Sequence, residues 1–272
     1  MNVARFAALT LLGAVGAAEP ALAAPRPVHD SARADTLQIS RLWSLNQVQN
    51  LMGTYEMWHT SGFNFRMPSL FANTEDTVIE MMWGRYTGKD ASWRCFGIDH
   101  RRDDLGTIKA LGLHPPPLSP ADQASLSAPG GAATGGGPSN QAPFHMHLLT
   151  TPVIVIADDD QTARAVWTSP GIEGSGWGWM KYAVDFKRVK GVWKIWHMHV
   201  YGLFMAAYDK SWVENPPNEK PDKPSQHADK PPTTGWNYGK GSTYVPLTPE
   251  PPQPYRTWGE PGMYPPTYGD LN

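Results

Sequence analysis

From His145 onward the chain reads as one strand after another: His145 to Ile156, a turn at Asp158-Asp159-Asp160, Thr162 to Ser169, a Gly-rich turn, Trp177 to Val189, a turn at Lys190-Gly191, then Val192 to Met205. Four long β-runs joined by tight turns pair with their sequence neighbours as an antiparallel meander, and this constrains the fold more than any other feature. Upstream the period changes. Leu37, Leu42, Leu45, Val48, Met52, Tyr55 and Trp58 recur near helical spacing, which predicts a long amphipathic helix from a cap at Asp35 to near Gly62. A short helix over Phe65 to Phe71, a strand over Thr77 to Trp83 and a third helix over Asp90 to His100 fill the remainder of the first half. Helices followed by a meander give an α+β domain in which a curved antiparallel sheet wraps around the N-terminal helices, with a cavity on its concave side.

Composition removes several classes of function. With 23 Lys and Arg against 25 Asp and Glu in 272 residues, the chain has no field to hold a polyphosphate backbone, so nucleic acid is not an expected partner. The single cysteine, Cys95, rules out an intramolecular disulfide and a thiolate metal cage. Twelve Trp with few charges point to an apolar pocket or interface beyond an ordinary core. Phosphate loops, nucleophile elbows and dinucleotide fingerprints are missing, and Gly84-Arg85-Tyr86-Thr87-Gly88 has the spacing of none of them, so no cofactor is expected.

The two ends differ in kind. Arg5, the apolar run Phe6 to Ala18 and Ala21-Leu22-Ala23 fit a signal peptide over residues 1–24, cut after Ala23 or Ala24, so the mature protein is expected to be exported, periplasmic or secreted. The run is too short to span a bilayer, and no membrane span is expected elsewhere. The domain proper is expected over 25–208, with 114–143 as a flexible Pro/Gly insertion. Residues 209–272 hold 14 of the 27 prolines, interleaved with aromatics such as Trp212, Trp236, Tyr255 and Trp258. Such proline density forbids helix or sheet interiors, and the aromatics argue for an extended arm packed on its own domain or on a neighbouring subunit.

Parity along the strands selects the candidate chemistry. Trp193, Ile195, His197, His199 and Tyr201 project together, as do His145 and His147, so the two apolar members of the first set are expected to carry His197 and His199 into the interior. Tyr55 and His59, four apart on the first helix beside Trp58, can reach the same cavity. Imidazoles in an apolar cavity can serve as acid and as base. Lys181 and Asp185 alternate with Tyr182 and face away from the cavity unless a bulge intervenes. Arg101-Arg102-Asp103-Asp104 reads as a solvated charge run. A rival reading makes the two His-x-His pairs a zinc or iron site, against which stands the lack of strand-end carboxylates near either pair.

The run Thr151-Pro152-Val153-Ile154-Val155-Ile156-Ala157-Asp158, followed by Thr162-Ala163, Tyr182 to Phe186, Lys190-Gly191 and Val192-Trp193-Lys194-Ile195, resembles the strand signature of SnoaL-like proteins of the nuclear transport factor 2 like superfamily. The resemblance covers roughly residues 35 to 208 without the insertion, and implies a cone-shaped α+β barrel and a homo-oligomer, dimer or trimer. The segment Lys194 to Tyr201, with Trp177-Gly178-Trp179 before it and Tyr208 to Trp212 after it, is similar to a branch of cofactor-free γ-formaldehyde lyases that act on lignin-derived aromatic dimers. That resemblance implies a cofactor-independent lyase of aromatic compound catabolism. His199 or Tyr55 would be the acid, His197 or His147 the base, with His59 beside them. Trp58, Trp83, His145, Trp167, Lys181, Tyr182 and Tyr201 would bind a small aromatic substrate, without metal. A dehydratase or isomerase on a polycyclic substrate, and a periplasmic protein that binds an aromatic ligand without turnover, are the alternatives.

Overall fold

The computed structural model describes residues 28–126, 145–173, 176–213, 222–224, 227–235 and 247–261. The expected signal peptide lies outside them, as do residues 127–143 of the expected insertion and Trp236, Tyr238, Tyr244, Tyr264 and Tyr268 of the arm. The chain divides into two units, Met1–Leu37 and Gln38–Asn272. Of the first, the described part is the opening of a helix; the second holds the sheet and the side chains of the site.

Helix α1 runs over Val28–Thr60. It therefore begins before Asp35, because nothing between Val28 and Ala34 breaks a helix, and Asp35 is an interior residue rather than the cap. It stops where Gly62 turns left-handed at φ 69°, a conformation that glycine adopts without Cβ strain. Val48, Met52, Tyr55 and His59 form the buried stripe of α1, each of its large apolar members contributing on the order of 1.5–3 kcal/mol by burial. A 3-10 helix (Asn64–Leu70), strands β1 (Val78–Met81) and β2 (Gly84–Thr87), a π-helical stretch (Trp93–Asp99), α2 (Arg101–Leu111) and α3 (Pro120–Ser125) follow. Strand β2 and helices α2 and α3 escape the sequence reading. The supposed charge run is the first turn of α2, where Arg101, Asp103 and Asp104 are buried; helix geometry turns them inward against the 3-10 helix.

The second half is β3 (His145–His147), β4 (Thr150–Ile156), β5 (Thr162–Glu173), β6 (Gly176–Val189) and β7 (Val192–Ala207). One strand was expected over His145 to Ile156. Two form, both on the same edge of β5: β3 pairs with Gly171–Glu173, β4 with Ala163–Thr168. The sheet order is β2-β1-β7-β6-β5-β3, an open sheet rather than a closed barrel. It is antiparallel except that β1 lies parallel to β7, because the chain enters β1 from the 3-10 helix instead of from a hairpin. The α+β class with N-terminal helices against the sheet stands as expected. No helix among the described residues is long and apolar enough to cross a membrane.

One irregularity decides which side chains face the helices. Phe186 pairs with Ile195 but Asp185 pairs with His197, so Trp196 is an extra residue in β7. A bulge of one residue inverts the alternation beyond it. Trp193 and Ile195 enter the core, as do Met198 and Val200, and His197, His199 and Tyr201 are sent to the opposite face. The described arm segments cover that face: Trp258 packs on Trp196 with ring centroids 4.7 Å apart, and Tyr255 is buried with its hydroxyl 3.0 Å from Thr162 Oγ1.

Candidate active site

On the face of the sheet that meets α1, four imidazoles gather. His59 sits in the last turn of α1, with ring centroids 5.0 Å from His145, 5.1 Å from His147 and 5.3 Å from His100. His145 and His147 share a face of β3, and His100 ends the π-helical stretch. Tyr55, one turn before His59, has its ring 6.1 Å from that of Tyr182, and Trp83 packs 5.3 Å from His100. His147 is admitted by Gly171 on β5, where a Cβ would lie 2.8 Å from His147 Nδ1. All four rings are more than nine-tenths buried.

Hydrogen bonds fix the tautomers. Asn64 donates Nδ2–H to Asp104 Oδ1 at 2.9 Å, so its oxygen faces His59, and His59 Nδ1–H donates to it at 2.7 Å. Asp104 is held in turn by the backbone N–H groups of Asn64 and Phe65. His100 Nδ1–H donates to the Cys95 carbonyl at 2.7 Å, and His145 Nε2–H to the His59 carbonyl at 2.6 Å. The neutral His59 ring thus keeps its lone pair at Nε2.

Electrostatics agree with neutral rings at His59 and His147. Burial, then the neighbouring His147, His100 and His145, holds His59 well below the usual histidine range. Burial, then His145 and His100, brings His147 to about 3. Burial pushes the Asp104 carboxyl up to about 6 despite its N–H donors, and also raises Asp103. Burial and Tyr182 push the Tyr55 hydroxyl well up, so it stays protonated. The result is a set of proton acceptors and hydroxyl donors in an apolar wall of Phe96, Trp167 and Tyr182. Among the described residues, no group of three or more His, Cys, Asp or Glu is arranged to hold a metal ion.

The structure therefore brings together Tyr55, His59, His145, His147, Trp83 and Tyr182, with Trp167 buried against Phe186 on the same face and Trp58 half-buried against the core. It separates His197, His199 and Tyr201 from them, through the bulge at Trp196. His197 Nδ1 meets Asp185 Oδ2 at 3.2 Å and its Nε2 meets the Asp76 carbonyl at 3.0 Å. His199 Nε2 lies 3.2 Å from Glu80 Oε1, its ring stacked on Tyr201 at 3.8 Å. Burial alone would raise Glu80, but bonds from His199 and Thr233 outweigh it and hold its carboxyl below the usual range. Lys181 also leaves the site, as strand parity requires, and reaches the Thr248 carbonyl at 3.3 Å. His100, Asn64 and Asp104 are not among the site residues expected from the sequence. The one local signal is that Gly62 stops α1 and returns the chain, placing Asn64 five residues after His59.

Two grooves lie elsewhere. One of about 400 Å³ runs between α1 and β4, lined by Arg41, Leu42, Leu45 and Ile154–Ile156; another of about 320 Å³ is lined by Met146, Pro170, Trp177, Trp179 and Tyr208 among others.

No curated protein matches the chain at a significant level. Among solved structures, a putative scytalone dehydratase from Novosphingobium aromaticivorans aligns with TM-score 0.40 at 13% identity, covering 64% of this chain and 93% of that one. Hexachlorocyclohexane dehydrochlorinase LinA-type3 from Novosphingobium barchaimii aligns at 0.41 and 12%, covering 66% and 99%. An NTF2-like protein with a cystatin-like fold from Novosphingobium aromaticivorans aligns at 0.38 and 15%, covering 68% and 92%. Similarity this distant says nothing of activity or ligand. The family model for the SnoaL-like domain matches residues 125–199, the stretch that holds β3 to β6 and the first half of β7, and over that stretch this chain carries a SnoaL-like domain.

Proposed function

We propose that the protein is a cofactor-independent lyase that uses the His59 cluster for acid–base chemistry on a bulky aromatic substrate. One observation carries this reading: a relay from Asp104 through Asn64 sets His59 Nδ1 as donor and leaves Nε2 as a lone-pair base among three further buried imidazoles. A proton taken at Nε2 makes an imidazolium whose Nδ1–H bond to Asn64 strengthens, with Asp104 compensating the charge. Tyr55, kept protonated, donates to an oxygen of the substrate, and the aromatic wall fits rings better than a polar chain.

The specific reaction is γ-deformylation of a lignin-derived dimer. Loss of water from a benzylic alcohol para to a phenol gives a quinone methide. The base then takes the proton of the terminal hydroxyl, the carbon–carbon bond breaks, and its electron pair restores the phenolate as formaldehyde leaves. The phenolate recovers the proton, giving a stilbene. The substrate is its own electron sink, so the protein need only move protons.

The test is incubation of the purified protein with a diarylpropane diol and a phenylcoumaran, assaying formaldehyde and stilbene. Stoichiometric release supports the lyase. Water loss without formaldehyde supports a dehydratase on the same residues. A ligand that raises the melting temperature and is recovered intact supports a binding protein and removes the catalytic reading.

A further inference from the structure

Arg101, the first residue of α2, is 5% exposed. Its Nη1 donates to the Pro116 carbonyl at 3.1 Å, while Nε and Nη2, both shielded from water, have no hydrogen-bond partner. Among the described residues it forms no ion pair: Asp104, the acid that bears on it, spends its oxygens on Asn64 and Phe65. The rings of Phe65 and Trp93 lie 5.9 and 5.7 Å from its guanidinium carbon, and exposed Arg66 stands over the same Phe65 ring at 5.6 Å. A buried guanidinium without a directly bonded counter-charge is costly, and the unused donors need an explanation.

The pattern of unused donors is chemically selective. Nε–H and Nη2–H lie on one edge of the guanidinium and point the same way, a two-pronged edge whose spacing matches the two oxygens of a carboxylate. The single claimed donor, Nη1, is the one outside that edge. The flanking rings offer π faces to an aromatic group, and the covering segment, Leu113 to Leu118, has no regular structure and is tied to Arg101 through the Pro116 carbonyl. We propose that Arg101 is a binding site for the carboxylate of an aromatic acid, held side-on by Nε and Nη2 with its ring against Phe65 and Trp93. The proposal does not depend on turnover at His59.

Benzoate and its uncharged isostere benzamide test it, by calorimetric titration of the full chain and by the Nε–H resonance of Arg101. Benzoate is expected to bind saturably and move that resonance; benzamide should bind at least tenfold more weakly. Arg101→Lys keeps the charge but loses the edge, and should weaken benzoate at least tenfold, while Arg101→Met should abolish binding. Should Arg101→Met not fold, Arg101→Lys and the resonance shift decide. Failure of the wild type to bind benzoate overturns the proposal, as does equal binding of benzoate and benzamide, or benzoate binding as tight as the wild type's in either variant. Arg101→Met melting above the wild type in a protein that binds no benzoate identifies the guanidinium as a packing element. None of these outcomes bears on formaldehyde release.

Discussion

The two faces of one sheet use histidine in opposite ways. On the face toward α1, His59, His100 and His145 each give one ring N–H to a neutral acceptor, an amide oxygen or a backbone carbonyl. On the face under the arm, His197 meets an acceptor at each nitrogen, a carboxylate and a carbonyl. His227 of the arm does the same between Asp99 and Asp122. Neutral imidazoles crowded in an apolar wall can exchange protons with a ligand; imidazoles locked between fixed acceptors serve to hold segments together. Burial is as deep on either face, so burial does not identify the working histidines. The partners do.

Removing the arm should produce the largest change. Deleting residues 213–272 takes Tyr255 off Thr162, Trp258 off Trp196 and the Thr233 donors off Glu80. We expect a loss of about 5 kcal/mol or more, from a buried and a half-buried ring and a buried carboxylate that loses two donors. A truncated protein with the wild-type melting temperature would erase the distinction between the faces. Asp185→Asn comes next: Asp185 is buried and bonds both Arg164 and His197, so its loss removes a buried carboxylate from both and should cost about 3–5 kcal/mol in denaturant unfolding.

A smaller effect sharpens the other side. His147 is held at about 3 against an ordinary 6.5, a depressed base that contributes stability above pH 6.5 and loses it as pH falls toward 3. Asp104, raised to about 6 from 3.8, works the other way: its contribution is complete below 3.8 and is lost as pH rises through 6. Comparing wild type with His147→Gln cancels the Asp104 contribution. Between about pH 7 and pH 5 the wild type should lose about 2 kcal/mol relative to the variant. No such difference would mean that His147 is solvated.

What the sequence made legible follows from range. Strand runs, turn residues and the buried stripe of α1 are local signals, and the elements appear close to where periodicity places them. Strand parity was also sound as far as Ile195. It failed two residues later because a bulge is invisible in periodicity: Trp196 looks like any other strand residue, yet it reassigns His197, His199 and Tyr201 at once. Tyr55 and His59 were readable because one helix face carries both. Asn64 and Asp104 were not, because the relay joins residues 40 positions apart, and Asp104 sits in a charge run that only tertiary packing turns inward.

The most direct test sets His59→Gln beside His199→Gln, measuring formaldehyde release from a diarylpropane diol and the melting temperature of both. His59→Gln should lower kcat/KM by about 10²- to 10⁴-fold with little change in melting temperature, whereas His199→Gln should melt lower yet keep kcat/KM close to wild type in the protein that remains folded. The reverse pattern, with activity lost through His199 and stability through His59, would contradict the assignment of chemistry to the α1 face.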